Sequence, residues 1–154
     1  MMESDAMRDE EGRLHGLIIG ALVVGLGVFV PLLLLPFVYG FIGSEILEEV
    51  AKALVVIFLI ARLSGGVSRI VWSGVFGFLF GVSETMLYLM PAVQTQLYQD
   101  FWTRFMTTIP LHTITPIIIM LPIMIFKSKW AGLLGLALAL GFHLFFNLFI
   151  AVGL

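Results

Sequence analysis

Glu48, Glu49, Glu84, His112 and His143 stand inside otherwise apolar stretches of this chain, with Asn147 one helical turn past the last of them. Carboxylates and imidazoles are the side chains that most often move protons in catalysis. Each charged group in a membrane helix costs roughly 2.5–3.5 kcal/mol on insertion scales, so groups in such places need a reason to be there. Glu45, Glu48, Glu49 and Lys52 fall within an arc of roughly 100° on one helix face. His143 and Asn147 are four apart and share a face, which Gly132, Gly135 and Ala139 continue. Gly74, Gly77 and Gly81 share the side of a helix that carries Glu84, which reads as a narrow groove leading to the carboxylate and a route for substrate, since small residues let another backbone approach closely.

The elements that must position these groups are membrane helices. Of 154 residues, 60% are hydrophobic and 12% charged, where a soluble domain has about a quarter charged. The apolar runs suffice to cross roughly 30 Å of hydrocarbon, and in lipid such spans are helical because a helix satisfies its own backbone. The expected fold is an all-α, polytopic transmembrane bundle of about five spans: 16–39, 44–62, 68–91, 107–126 and 130–154. Residues 1–15 read as a polar cytoplasmic tail and 16–154 as the membrane domain. The tail lacks the basic region of a signal peptide, so the first apolar run reads as a retained span. Leu97, Phe101 and Phe105 recur every four residues, as on a helix lying in the outer interface over about 92–106. Pro116 and Pro122 predict a kink in the fourth span.

Basic residues set the expected orientation. Arg8, Arg13, Arg62, Arg69, Lys127 and Lys129 fall on one side and Arg104 on the other, which puts the N-terminus inside. With that topology and about 1.5 Å rise per residue, the polar groups of four helices share a layer of roughly 10 Å in the outer half of the bilayer. One shared polar site is expected there. The plainer readings make Glu49 and Lys52 a structural ion pair, Glu45 a solvated helix start and the glycine stripes ordinary helix packing. A net charge of −2 gives no reason to expect nucleic acid, and a chain without cysteine has no disulfide or thiolate metal site.

Three motifs then stand out in order: EExxK at Glu48–Lys52, FxxxE at Phe80–Glu84 and HxxxN at His143–Asn147, with His112 in a separate span. This set resembles the PrsW family of membrane proteases. It is more distantly similar to the CAAX prenyl endopeptidase and bacteriocin-processing family, whose pattern is EExxxR, FxxxH and HxxxN. Lys52 in place of the later arginine and Glu84 in place of histidine favour the PrsW branch. The resemblance covers most of the membrane domain from Ser44 onward. It implies cleavage of a transmembrane or membrane-anchored protein near the extracytoplasmic face of a prokaryotic plasma membrane.

Peptide hydrolysis needs an activated water, a stabilised oxyanion and a proton for the leaving amine. Glu48 is the expected base, with Glu49 as runner-up. Two arrangements stay open for the rest. In one, Glu84, His112 and His143 bind zinc and leave a position for water. In the other, no metal binds, glutamate and histidine activate water directly, and His143 with Asn147 supports the oxyanion. Asn147 could instead orient His143. The rival functions are a small proton-coupled transporter, since buried carboxylates and histidines also form proton relays, and a non-catalytic adaptor on a protease-like fold.

Overall fold

The computed structural model describes residues 2–38, 43–96 and 98–153. It is helical almost throughout, with no strand among the described residues. Helix α1 spans Met2–Val38, α2 Ser44–Phe58, α3 Gly66–Leu87, α4 Leu89–Thr95, α5 Tyr98–Phe126 and α6 Gly132–Gly153, with short 3-10 turns at Ile60–Arg62 and Lys129–Ala131. Among the described residues, four segments are long and apolar enough to cross a membrane: Glu10–Phe37, Gly66–Thr95, Phe101–Phe126 and Lys129–Phe149. The second expected span is the exception. α2 has 15 residues, or roughly 22 Å at 1.5 Å per residue, and holds the three glutamates and the lysine of the motif region.

Some boundaries differ from expectation. Helix α1 runs through the residues read as the polar tail and on into the first span. The fourth span does not begin at Thr107: α5 is one helix from Tyr98 onward, so the stretch read as interfacial is split between α4 and the start of the long helix. Leu97, part of the expected aromatic stripe, lies outside the described residues. Phe101 is buried, and its ring meets Trp102 at 5.4 Å and Phe105 at 6.2 Å between centroids.

α5 is the central helix, packed on α3, α6 and α2; α3 also packs on α1, and α6 on α2. The glycines explain these choices. On α1, a Cβ at Gly20 would strike the Trp72 ring, and one at Gly27 would strike Leu79 and the Phe76 carbonyl. On α6, Gly132 abuts Ile57 and Ile123, and Gly135 abuts the backbone of Ile119. On α3, Gly77 faces the carbonyl of His112 and Gly81 the Cα of Ile109. Pro116 has no N–H to give that His112 carbonyl, four residues earlier. A bare Cα at Gly77 leaves room for the freed oxygen against α3, where a Cβ would collide with it. The glycine face of α3 is thus filled by α5 and does not form an open groove.

The core holds Val23, Val56, Ile60, Phe76, Phe80, Ile119, Met120 and Ala139, while Leu17, Leu33, Leu54, Phe78, Ile125, Leu133 and Phe145 project outward. Outward leucine and phenylalanine on every long helix suit a lipid surround. At the far end from the polar cluster, Arg69 Nε donates to the Leu63 carbonyl at 2.8 Å and Arg62 donates to the Phe58 carbonyl, fastening the α2–α3 turn.

Candidate active site

α2 supplies the centre of the site. Its Glu48, Glu49 and Lys52 are all buried. Lys52 Nζ donates to Glu49 Oε1 at 2.6 Å, lies 2.5 Å from His112 Nδ1 and donates to Thr115 Oγ1 at 3.3 Å. Its ammonium also sits 4.8 Å from the Phe80 ring centroid. The three protons of a lysine thus have three acceptors, which is how a fully buried cation is tolerated. The ion pair that the sequence offered as a structural reading is present, and it reaches further, because Lys52 ties α2 to α5.

Glu49 and His143 join α2 to α6. Glu49 Oε1 lies 2.8 Å from His143 Nδ1. Oε1 of a carboxylate accepts only, so the ring proton belongs on Nδ1 and the Nε2 lone pair is free. A carboxylate on one ring nitrogen, leaving the other to act, is the usual support of a ligating histidine. One turn away, Asn147 Nδ2 donates to Glu45 Oε1 at 3.0 Å. Two rungs therefore connect the antiparallel helices, Glu49–His143 and Glu45–Asn147. The sequence reading took Glu45 for a solvated helix start and missed it as Asn147's partner. The signal was available in two matching four-residue spacings, 45–49 and 143–147, but it required knowing that α2 and α6 are neighbours. Thr115 was missed too, although it lies three residues from His112 on the same face.

Glu84 and His112 bring in α3 and α5. His112 Nε2 lies 2.6 Å from Glu84 Oε2 and 4.0 Å from Glu48 Oε2. The short contact to Glu84 is not aligned as a hydrogen bond: Glu84 Oε2, like Glu49 Oε2, is buried with no hydrogen-bond partner among the described residues. The His112 and His143 rings meet edge to face, 5.4 Å between centroids. Glu48, Glu84, His112 and His143 thus come together from four helices. Asn147 stands one rung away.

One carboxylate oxygen of Glu48 and one ring nitrogen each of His112 and His143 lie within 4.8 Å of one another. The sequence expectation had Glu84 as the carboxylate of that set; here Glu48 completes the triplet and Glu84 adjoins it. Two imidazoles and a carboxylate match a catalytic zinc set, whose donor atoms sit about 3.3 Å apart at bond lengths of about 2.0–2.2 Å. The widest separation, 4.8 Å, exceeds that by about 1.5 Å. The Glu84 oxygen beside His112 Nε2, buried without a hydrogen bond among the described residues, adjoins that set without completing it. Loading Nε2 would put the His112 ring proton on Nδ1, with Lys52 turned toward Thr115, already within its reach. The residues fit a metal.

A cleft reaches this cluster. Pro31, Leu34, Leu35, Phe80, Leu87 and Tyr88 wall it, and Glu48 and Glu84 form its floor. Its volume of about 30 Å³ holds roughly two waters. Glu84 is 19% exposed and Glu48 10%, while Glu49 and Lys52 are sealed. The two carboxylates reach the surface of the cleft, and the pair behind them does not.

A bundle of lipid-compatible helices that buries paired carboxylates and histidines around a water-sized cleft has the architecture of a membrane-embedded hydrolase. The chain matches the family model described as PrsW family intramembrane metalloprotease over residues 16–154, and it belongs to that family. It is an integral membrane protein of an intramembrane protease family. No curated protein and no solved structure matches it.

Proposed function

We propose that the protein is an endopeptidase that hydrolyses a peptide bond of a membrane-anchored protein near the extracytoplasmic face of a prokaryotic plasma membrane. The observation that carries this reading is the meeting of Glu48, Glu84, His112 and His143 at the floor of a cleft that admits water. Glu48, His112 and His143 would hold the metal, for which zinc suits the donors. When bound, the metal supplies Lewis-acid polarisation and a more acidic water. Glu84 is the general base in this arrangement. It is the more exposed of the two cleft carboxylates, and its Oε2 has no hydrogen bond to give up. Protonated Glu84 then returns the proton to the leaving amine.

Glu49, the runner-up for the base, acts at one remove. Its Oε1 serves both Lys52 and His143, so it orients the imidazole and is shut off from water. Asn147 steadies the same helix pair through Glu45, which supports a positioning role over oxyanion support.

A metal-free reading has one observation in its favour. Lys52 as an ammonium beside His112 Nδ1 places the ring proton on Nε2, where it faces Glu84. The imidazole would then donate to the oxyanion while a glutamate activates water. Elemental analysis of the purified protein separates the two. The metal arrangement predicts about one equivalent of a transition metal, lost in His143→Ala. No metal in active wild type would transfer the mechanism to glutamate and histidine alone.

A further inference from the structure

The cleft is too small to hold a peptide, so the bundle must open somewhere for the substrate to reach the glutamates. α1 is fastened to α3 along its earlier turns: Ile19 and Val23 are buried, Gly20 sits on Trp72, Gly27 on Phe76 and Leu79, and Ser83 Oγ donates to the Val28 carbonyl at 2.7 Å. Beyond Pro31 the packing thins: Leu34 still touches the core, and α1 also meets α2. Pro31, like Pro36 further on, has no N–H for the carbonyl four residues earlier, which makes it a natural bending point of the helix. After Pro31, Leu32, Leu33 and Phe37 are exposed, and among the described residues Leu34 and Leu35 turn inward, over the cleft. The last turns of α1 thus bring Pro31, Leu34 and Leu35 over the floor carboxylates. The glycine face of α3, the other candidate route, is closed by α5 at Gly77 and Gly81.

We infer that the substrate's membrane segment reaches Glu48 and Glu84 from the lipid through this cleft, by outward bending of α1 beyond Pro31, and that an aliphatic side chain beside the scissile bond seats among Leu34, Leu35 and Leu87. This rests on the proteolytic reading of the site. The walls are aliphatic and the floor is acidic, so the seated residue is apolar and uncharged. The peptide backbone that unwinds there finds water at the floor, which offsets the several kcal/mol that each bare backbone group would cost in lipid.

The test uses the full chain in proteoliposomes with single-span reporter helices whose cut site is mapped by mass spectrometry. A photoreactive benzoylphenylalanine replaces Leu35, or Leu138 on the outward face of α6 as comparison, in a Glu48→Gln background that retains uncut reporter. An adduct at Leu35 and none at Leu138, with cleavage by wild type, is the expected result. Cleavage by wild type without an adduct at Leu35 overturns the route and leaves the hydrolytic reading standing. An adduct at Leu35 with no cleavage by wild type keeps the route and overturns the hydrolytic reading. Neither adduct nor cleavage overturns both. In an otherwise wild-type chain, Leu35→Trp narrows the seat. It should lower the ratio of cleavage for reporters with leucine beside the cut to those with alanine by about tenfold, the scale of discrimination a small change in an apolar pocket gives. An unchanged ratio overturns the seating.

Discussion

Lys52 shows how much one side chain can hold in this protein. Buried without exposure, it faces Glu49, His112 and Thr115 from three directions. Removing one member of a buried ion pair costs about 3–5 kcal/mol, because the other charge stays behind unpaired. Lys52→Met should lower the stability of the detergent-solubilised protein by that order in thermal unfolding. Glu49→Gln together with Lys52→Met should recover a large part of the loss, since the orphan charge is gone. A double mutant as unstable as the sum of the two singles would mean that Lys52 acts through His112 and Thr115 and not through Glu49. The residue types of the site were legible in the sequence, because a glutamate or histidine in an apolar run is conspicuous. Their partners were less so. Asn147 with Glu45, and Glu49 with His143, depend on which helices are neighbours, and spacing along one helix carries no such information.

At the scale of elements, close approach of α5 to α3 sets where His112 stands. A Cβ at Gly77 would fall on the His112 carbonyl and against Pro116, whereas one at Gly141 would meet open space. Gly77→Ala should therefore displace α5, lower stability by about 2 kcal/mol or more in keeping with overpacking, and weaken metal binding through His112. Gly141→Ala should be neutral or slightly stabilising, as alanine is favoured over glycine in a helix by about 1 kcal/mol. Equal melting temperatures for the two variants would remove glycine packing from the account. The small-residue stripes were visible in the sequence, and so was their alternative use as a groove. Deciding between them needed the Pro116 ring and the carbonyl it frees. The start of α5 at Tyr98 was hidden for a different reason. The polar and aromatic stretch before Thr107 has the composition of an interface, and helical continuity leaves no mark in composition.

For the molecule as a whole, the bundle follows from apolar length, and four of the five expected spans are long helices. The fifth, α2, has 15 residues and brings its glutamates in near one end, where the cleft opens. Orientation rests on the basic residues: Arg62, Arg69, Lys127 and Lys129 lie at one end of the bundle and Arg104 at the other, over the Tyr88 ring. With the basic end inside, a membrane-impermeant thiol reagent applied from outside should modify a cysteine introduced at Gln96 and spare one at Ser128; the chain has no cysteine of its own. The opposite pattern would move the site to the inner leaflet. The central claim, hydrolysis at the cleft floor, is tested most directly by cleavage of single-span membrane proteins in proteoliposomes, comparing wild type with Glu48→Gln, Glu84→Gln and the double variant, each shown to be folded. Wild type should cut, each single variant should cut about 10²-fold more slowly or worse, as loss of a base or ligand implies, and the double variant should not cut. Cleavage by the double variant at the wild-type rate would contradict the account.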